Sequence, residues 1–184
     1  MISLEDLVDA GTCTIHEAPV TMVAGTPDAR SPDGRDTLVL SAKDLRLGRA
    51  PSRYGDREEA GAVVTVAGDV IVSADAVRVC VDADLLLGPG LRLVRVHSAA
   101  LDRQFLAGVL RAALSEADGK PVDLYQVSVP RIPPPEQRRY GRAFEQLIEF
   151  EDDWHRRRAS TQRLLRVAVS GLAAGRLRPD GADT

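Results

Sequence analysis

Four arginines, Arg46, Arg49, Arg53 and Arg57, crowd around one tyrosine, Tyr54, in the stretch RLGRAPSRYGDR at residues 46–57. Guanidinium forks grip phosphate oxygens or guanine edges through paired N–H donors, and a tyrosine stacks or hydrogen-bonds beside them. This loop is the best local candidate for a nucleic-acid contact. The competing reading is a solvated loop whose arginines pair with Asp44, Asp56 and Glu58. Adding cations from neighbouring turn-rich and strand-edge positions, the candidate DNA contacts are Arg30, Arg35, Lys43, Arg49, Arg53, Tyr54 and Arg78.

The acids offer a second chemistry. Asp69, Asp75, Asp82 and Asp84 are the one cluster readable as a divalent-metal or nuclease centre, but Asp69 sits in a Gly-Asp turn and only the remote Lys43 could complete the set. His16, His97 and His155 have no neighbouring His, Cys or carboxylate at ligand spacing, so no metal site is expected. His16-Glu17 lacks the second histidine of a zincin, there is no GxSxG elbow, and Gly88-Pro89-Gly90 lacks the glycine, lysine and Ser/Thr set of a phosphate loop. Neither Cys13 nor Cys80 lies in a nucleophile signature. No catalytic residue, cofactor or metal is therefore expected.

The formal charge of −3 hides an asymmetry: residues 1–130 carry 13 basic and 19 acidic side chains, residues 131–184 carry 11 and 8. A globally basic protein would point to nucleic acid by charge alone. Here any such contact must be a local patch. Two distant cysteines without CxxC spacing suit a reducing, cytoplasmic setting, and MISLEDLVDAG has acids where a signal peptide needs basic residues and an apolar run. Nowhere do 18 apolar residues follow one another, so no membrane partner is expected.

The elements that must carry these groups read as follows. Ile2 to Ala10 is a short amphipathic helix capped by Ser3 and stopped at Gly11. Thr12 to Ala24 is one or two strands interrupted at Pro19, Asp36 to Leu40 is strand, and Ser41 caps a helical turn to Leu45. Ala62 to Ser73 reads as a strand pair joined at Gly68-Asp69, and Arg78 to Val81 with Leu91 to Val96 as a second pair. Asp102 to Leu114 is a helix burying Phe105, Leu106, Val109, Leu110 and Ala113. Val122 to Ile132 is strand-like. The sum is an α+β head with mostly antiparallel strands.

After Pro133-Pro134-Pro135, residues 136–175 contain no proline, and the only interior glycines are Gly141 and Gly171. A helix of about 40 residues would run roughly 60 Å. Counting alternately four and three gives a seam through Tyr140, Phe144, Leu147, Glu151, Trp154, Arg158, Thr161, Leu165, Ala168 and Leu172, apolar at both ends and polar between. The apolar members are the expected helix interface. Either the head or a second chain must cover them.

Four stretches together resemble the target recognition domain and adjoining helix of type I restriction-modification specificity subunits, and the related C-terminal domain of some N6-adenine DNA methylases. They are AGDVIVS (67–73), GPGLRLVRV (88–96), LDRQFLAGVLRAA (101–113) and VDLYQVSVPRIPPPEQRRYGRAF (122–144). Pro134, Pro135, Glu136 and Gln137 match the junction that leads into the family's long helix. The resemblance implies a recognition domain at 1–130 and a junction with a dimerisation or spacer helix at 131–184. It also implies double-stranded DNA and a methyltransferase subunit or domain as partners. A complete specificity subunit has two recognition domains and two antiparallel helices, so a single copy here implies a homodimer or a companion helix. No Asn-Pro-Pro-Tyr motif is present, which assigns methyl transfer to another domain or chain. The rival expectation is a coiled-coil assembly protein that never reads bases, which the acidic head favours.

Overall fold

A computed structural model of the chain describes residues 1–19 and 36–177. It divides into two compact units, Met1–Glu145 and Gln146–Thr184.

Local capping chemistry forms the short helices. Ser3 Oγ accepts the Asp6 N–H at 3.0 Å while the Asp6 carboxylate accepts the Ser3 N–H at 3.1 Å, a reciprocal box that starts α1 (Leu4–Asp9). Ser41 and Asp44 repeat the device at α2 (Ala42–Leu47), which Gly48 ends in the left-handed region at φ 58°. Asp102 caps α3 (Arg103–Glu116), its Oδ1 accepting the Phe105 N–H at 2.8 Å.

Strands β1 (Ile2–Ser3) and β9 (Ser128–Val129) pair with each other. An antiparallel sheet has the order β2 (Cys13–Glu17), β8 (Arg92–Val96), β5 (Val70–Val72), β6 (Val77–Val79). A second sheet has the order β4 (Arg53–Asp56), β3 (Asp36–Leu40), β7 (Leu86–Leu87), in which β3 and β7 run parallel. The α+β class with mostly antiparallel strands is as expected.

The pairings are not. The anticipated hairpin within Ala62 to Ser73 does not form: residues 62–68 contribute one isolated bridge, Val64 to Leu86, and β5 turns back through Ser73 into β6. Nor does β6 pair with β8, since both flank β5. The reason lies in burial. Val70, Ile71 and Val72 are all fully buried, so β5 needs a partner on each edge and a core on each face. Val70, Val72 and Val94 face Phe105, Leu106 and Leu110 of α3, while Ile71 and Leu93 face Leu40, Leu45 and Leu87. The strand expected over Val122 to Ile132 is broken by a 3₁₀ turn, Leu124–Gln126, started by the Asp123 carboxylate on the Tyr125 N–H at 3.1 Å; only Ser128–Val129 pairs as strand.

The long helix α4 spans Pro134–Ala173. Pro133 O accepts the N–H groups of Glu136 and Gln137, so the prolines fall where no donor is missed. The helix ends at Gly175, φ 65°. Among the described residues no helix is long and apolar enough to cross a membrane.

Candidate nucleic-acid interface

The basic segment is half helix end and half strand. Gly48 turns the chain out of α2, Arg49 follows it into solvent, and β4 picks up at Arg53, so the expected loop is partly an edge strand. Gly55 holds β4 close to its neighbour: a Cβ there would lie 2.7 Å from Val39 Cγ2. Lys43, Arg49 and Arg53 are exposed and Tyr54 is half-buried.

The structure divides the four arginines. Arg46 pairs with Asp75 at 3.1 Å and Arg57 with Asp84 at 3.3 Å, both at the surface. Among the described residues Arg49, Arg53 and Lys43 have no ion pair. The acids nearest in sequence are otherwise engaged, Asp44 in the α2 cap and Asp56 Oδ1 on the Glu58 N–H at 2.8 Å. Two of the four loop arginines are thus taken up by long-range pairs to Asp75 and Asp84. Arg78 is turned into the fold, its Nε donating to Leu45 O at 2.6 Å and bracing β6 against α2. Arg30 and Arg35 lie outside the described residues.

The acidic cluster has a structural occupation. Asp69 is buried, and both its oxygens face Arg95: Nε donates to Oδ1 at 2.9 Å and Nη2 to Oδ2 at 2.7 Å. The Val66 N–H also reaches Oδ2, and Arg95 Nη2 reaches Val64 O at 2.9 Å. Asp69 holds the Arg95 guanidinium above its ordinary range by that side-chain bond. Such a forked pair ties residues 64–69 to β8. Among the described residues no three His, Cys, Asp or Glu side chains converge as metal ligands.

The thiols are muffled. Burial pushes Cys13 up to about 11, and burial also raises Cys80, whose Sγ lies 2.9 Å from Asp82 O. Neither supplies a thiolate at neutral pH. His16 and His97, distant in sequence, meet on Thr14: its Oγ1 is 3.0 Å from His16 Nε2 and 3.1 Å from His97 Nε2. Sequence spacing carries no sign of that meeting, which the β2–β8 pairing produces.

The foot of α4 is latched to the head. Gln137 is buried, its Oε1 accepting the Asp102 N–H at 2.9 Å while Nε2 donates to Ala100 O at 3.1 Å and Ile132 O at 2.9 Å. Two glycines permit close approach to α3: a Cβ on Gly141 would lie 2.4 Å from Asp102 Oδ1, and one on Gly108 would meet the Phe144 ring. Phe144 therefore packs on the core of the first unit, and Tyr140 lies 6.4 Å from the Phe105 ring. These two seam residues already have neighbours within the head.

Further along α4 the apolar seam is open. Leu147, Trp154, Leu165 and Leu172 are 64%, 51%, 59% and 49% exposed, and Phe150 is exposed beside them; Ala168 is half-buried. Arg158 lies over the Trp154 ring at 5.4 Å, and Glu151 sits 3.6 Å from His155 one turn on. Helices in water do not keep such a stripe without covering it.

No protein-family description and no curated protein sequence matches this chain. Among solved structures it is similar to the HsdS subunit from Thermoanaerobacter tengcongensis, with a TM-score of 0.58 and 21% identity over 92% of this chain and 43% of that one. It is also similar to a chain from a study of complex assembly and conformational transition in the type I R-M system, with a TM-score of 0.56 and 21% identity over 86% of this chain and 42% of that one. The fold, antiparallel sheets followed by a long C-terminal helix, is shared with these proteins. The chain spans less than half the length of either.

Proposed function

We propose that this chain is a non-catalytic DNA sequence-recognition module that directs an N6-adenine DNA methyltransferase in a restriction-modification system. It acts as a half-length specificity subunit or as the C-terminal domain of a methylase. The observation that carries the reading is the fold shared with an HsdS subunit over 92% of the chain, head and long helix together. The four family-like stretches all fall within the described residues of this chain. The methyltransferase subunit or domain is the catalytic partner, in the cytoplasm, and this chain brings no cofactor of its own.

Residues 1–130 read the duplex. Lys43, Arg49 and Arg53 hold phosphates or base edges, Tyr54 stacks or bonds beside them, and Arg30 and Arg35 join them from the preceding turn-rich stretch. Arg78, whose Nε donates to Leu45 O, joins them through its terminal nitrogens. Residues 131–184 form the junction and spacer. Two copies paired through Leu147, Trp154, Leu165, Ala168 and Leu172 would supply the second recognition domain and second helix of a full-length subunit. The 43% coverage of that longer chain supports this arithmetic.

The exposed seam is equally what a scaffold needs, so an assembly protein without base readout is the second reading. Duplex binding separates the two. A recognition module loses affinity steeply between about 50 and about 200 mM salt, and Arg49→Ala with Arg53→Ala lowers the salt slope by about one per phosphate contact removed. Absence of binding to any duplex, with and without the methyltransferase partner, refutes recognition.

A further inference from the structure

We infer that the cleft at the foot of α3 binds a phosphate oxyanion through Arg103 and Arg138. Its source is the duplex backbone, an assignment that rests on the reading above. The cleft has a volume of about 740 Å³, and its walls include Gly68, His97, Ser98, Arg103, Gln104 and Arg138. Arg103 opens α3 and Arg138 belongs to the first turns of α4, so two separate elements each bring a fork to one space.

Three features make this a built site. Both arginines are exposed, and among the described residues neither has an ion pair, whereas Arg46, Arg57 and Arg95 each have one. The carboxylate in the wall, Asp102, has its Oδ1 occupied by the Phe105 N–H, so two cationic forks face the space against one capped acid. Arg103 also lies across a bare backbone turn: a Cβ on Gly68, at φ 93°, would lie 3.0 Å from its Cδ, Nε and Cζ.

The chemistry favours phosphate. Phosphate presents several oxygens to forks arriving from different directions, and paired guanidinium bonds to it are short and strong. The first 130 residues carry 19 acids against 13 bases. Against that background a polyanion must approach where positive charge is left uncompensated, and this cleft is such a place. Contacts here would set register without reading sequence.

The experiment follows the arginine Nε–Hε signals of the full chain by NMR as inorganic phosphate is added at constant ionic strength. Poly-glutamate is titrated separately. A labelled duplex is then bound across the salt series by wild type and by Arg103→Gln with Arg138→Gln, whose fold is checked by circular dichroism. The expected result is that phosphate moves the signals of Arg103 and Arg138. The double variant should weaken every duplex by the same factor, about tenfold, and lower the salt slope by about one. Signals unmoved by phosphate overturn the site, and a larger response to poly-glutamate makes it a docking patch for an acidic protein and overturns it too. If phosphate binds but the duplex slope stays unchanged in the variant, the duplex source is overturned. A wild type that binds phosphate in the cleft and no duplex at all upholds the oxyanion site and refutes the recognition reading instead.

Discussion

Replacing Gln137 tests whether the foot of α4 is held by hydrogen bonds or merely by packing. Its amide satisfies three backbone groups, the Asp102 N–H, Ala100 O and Ile132 O, and the residue is 6% exposed. Gln137→Met keeps the length and removes all three bonds. Each bond contributes about 0.5–1.5 kcal/mol, and a buried group left unpaired costs about 1–3 kcal/mol. Ala100 is exposed and its carbonyl recovers water, while the half-buried Asp102 and Ile132 do not fully recover theirs. The expected loss is about 3 kcal/mol, a large share of the roughly 5–15 kcal/mol that holds a domain folded. Gln137→Glu is harsher at neutral pH: it still accepts from Asp102 but sets a carboxylate against two carbonyl oxygens. That acid would be pushed above its ordinary range in the folded state. Its deficit should therefore be smallest at acid pH and grow as pH rises through the raised value. Urea unfolding followed by circular dichroism, compared at constant slope, measures both. A Met variant within about 0.5 kcal/mol of wild type, the range of an ordinary surface change, would refute the latch. So would a Glu variant that gains stability from acid to neutral pH.

Four other outcomes follow from the same geometry. Asp69→Ala strands Arg95 and frees the 64–69 segment; with Asp69 at 3% and Arg95 at 28% side-chain exposure, urea midpoints should show a loss of roughly 3 kcal/mol. Leu165→Asp should abolish self-association in light scattering, since burying a leucine contributes about 1.5–3 kcal/mol and a symmetric pair counts it twice. An unmutated chain that stays monomeric at high concentration removes the homodimer; Phe144→Asp should instead destabilise the first unit, where that ring is packed. Burial raises Cys13 from 9.0 to about 11, so stability is complete below pH 9 and falls as pH climbs between those values. Cys13→Ala should flatten that alkaline decline in thermal melts, and an unchanged decline counts against burial as its cause.

Much of the head was readable from local chemistry. Ser3 with Asp6 and Ser41 with Asp44 announce helix starts because a capping box is closed within three residues, and Gly48 announces a stop because it tolerates positive φ. The proline junction and the long helix after it were legible for the same reason: no residue in that run breaks an i to i+4 ladder. The partners were not legible. Val70 to Val72 looks equally ready to pair with the strand before it or after it. Only burial on both faces decides that β6 and β8 flank it.

The candidate site divides along the same line. The amino-acid order alone determined where arginines, acids and apolar seam positions fall along the chain, and that the long helix carries a stripe in need of cover. Tertiary structure decided which of those groups are already spent: Arg46 on Asp75, Arg57 on Asp84, Asp69 on Arg95, and Phe144 on the face that Gly108 leaves open. It also brought together Arg103 and Arg138, and His16 and His97, which no spacing rule connects. Caps and helical stripes depend on neighbours a turn away, whereas the charge left over at a surface depends on which distant groups the packed chain sets within reach of one another.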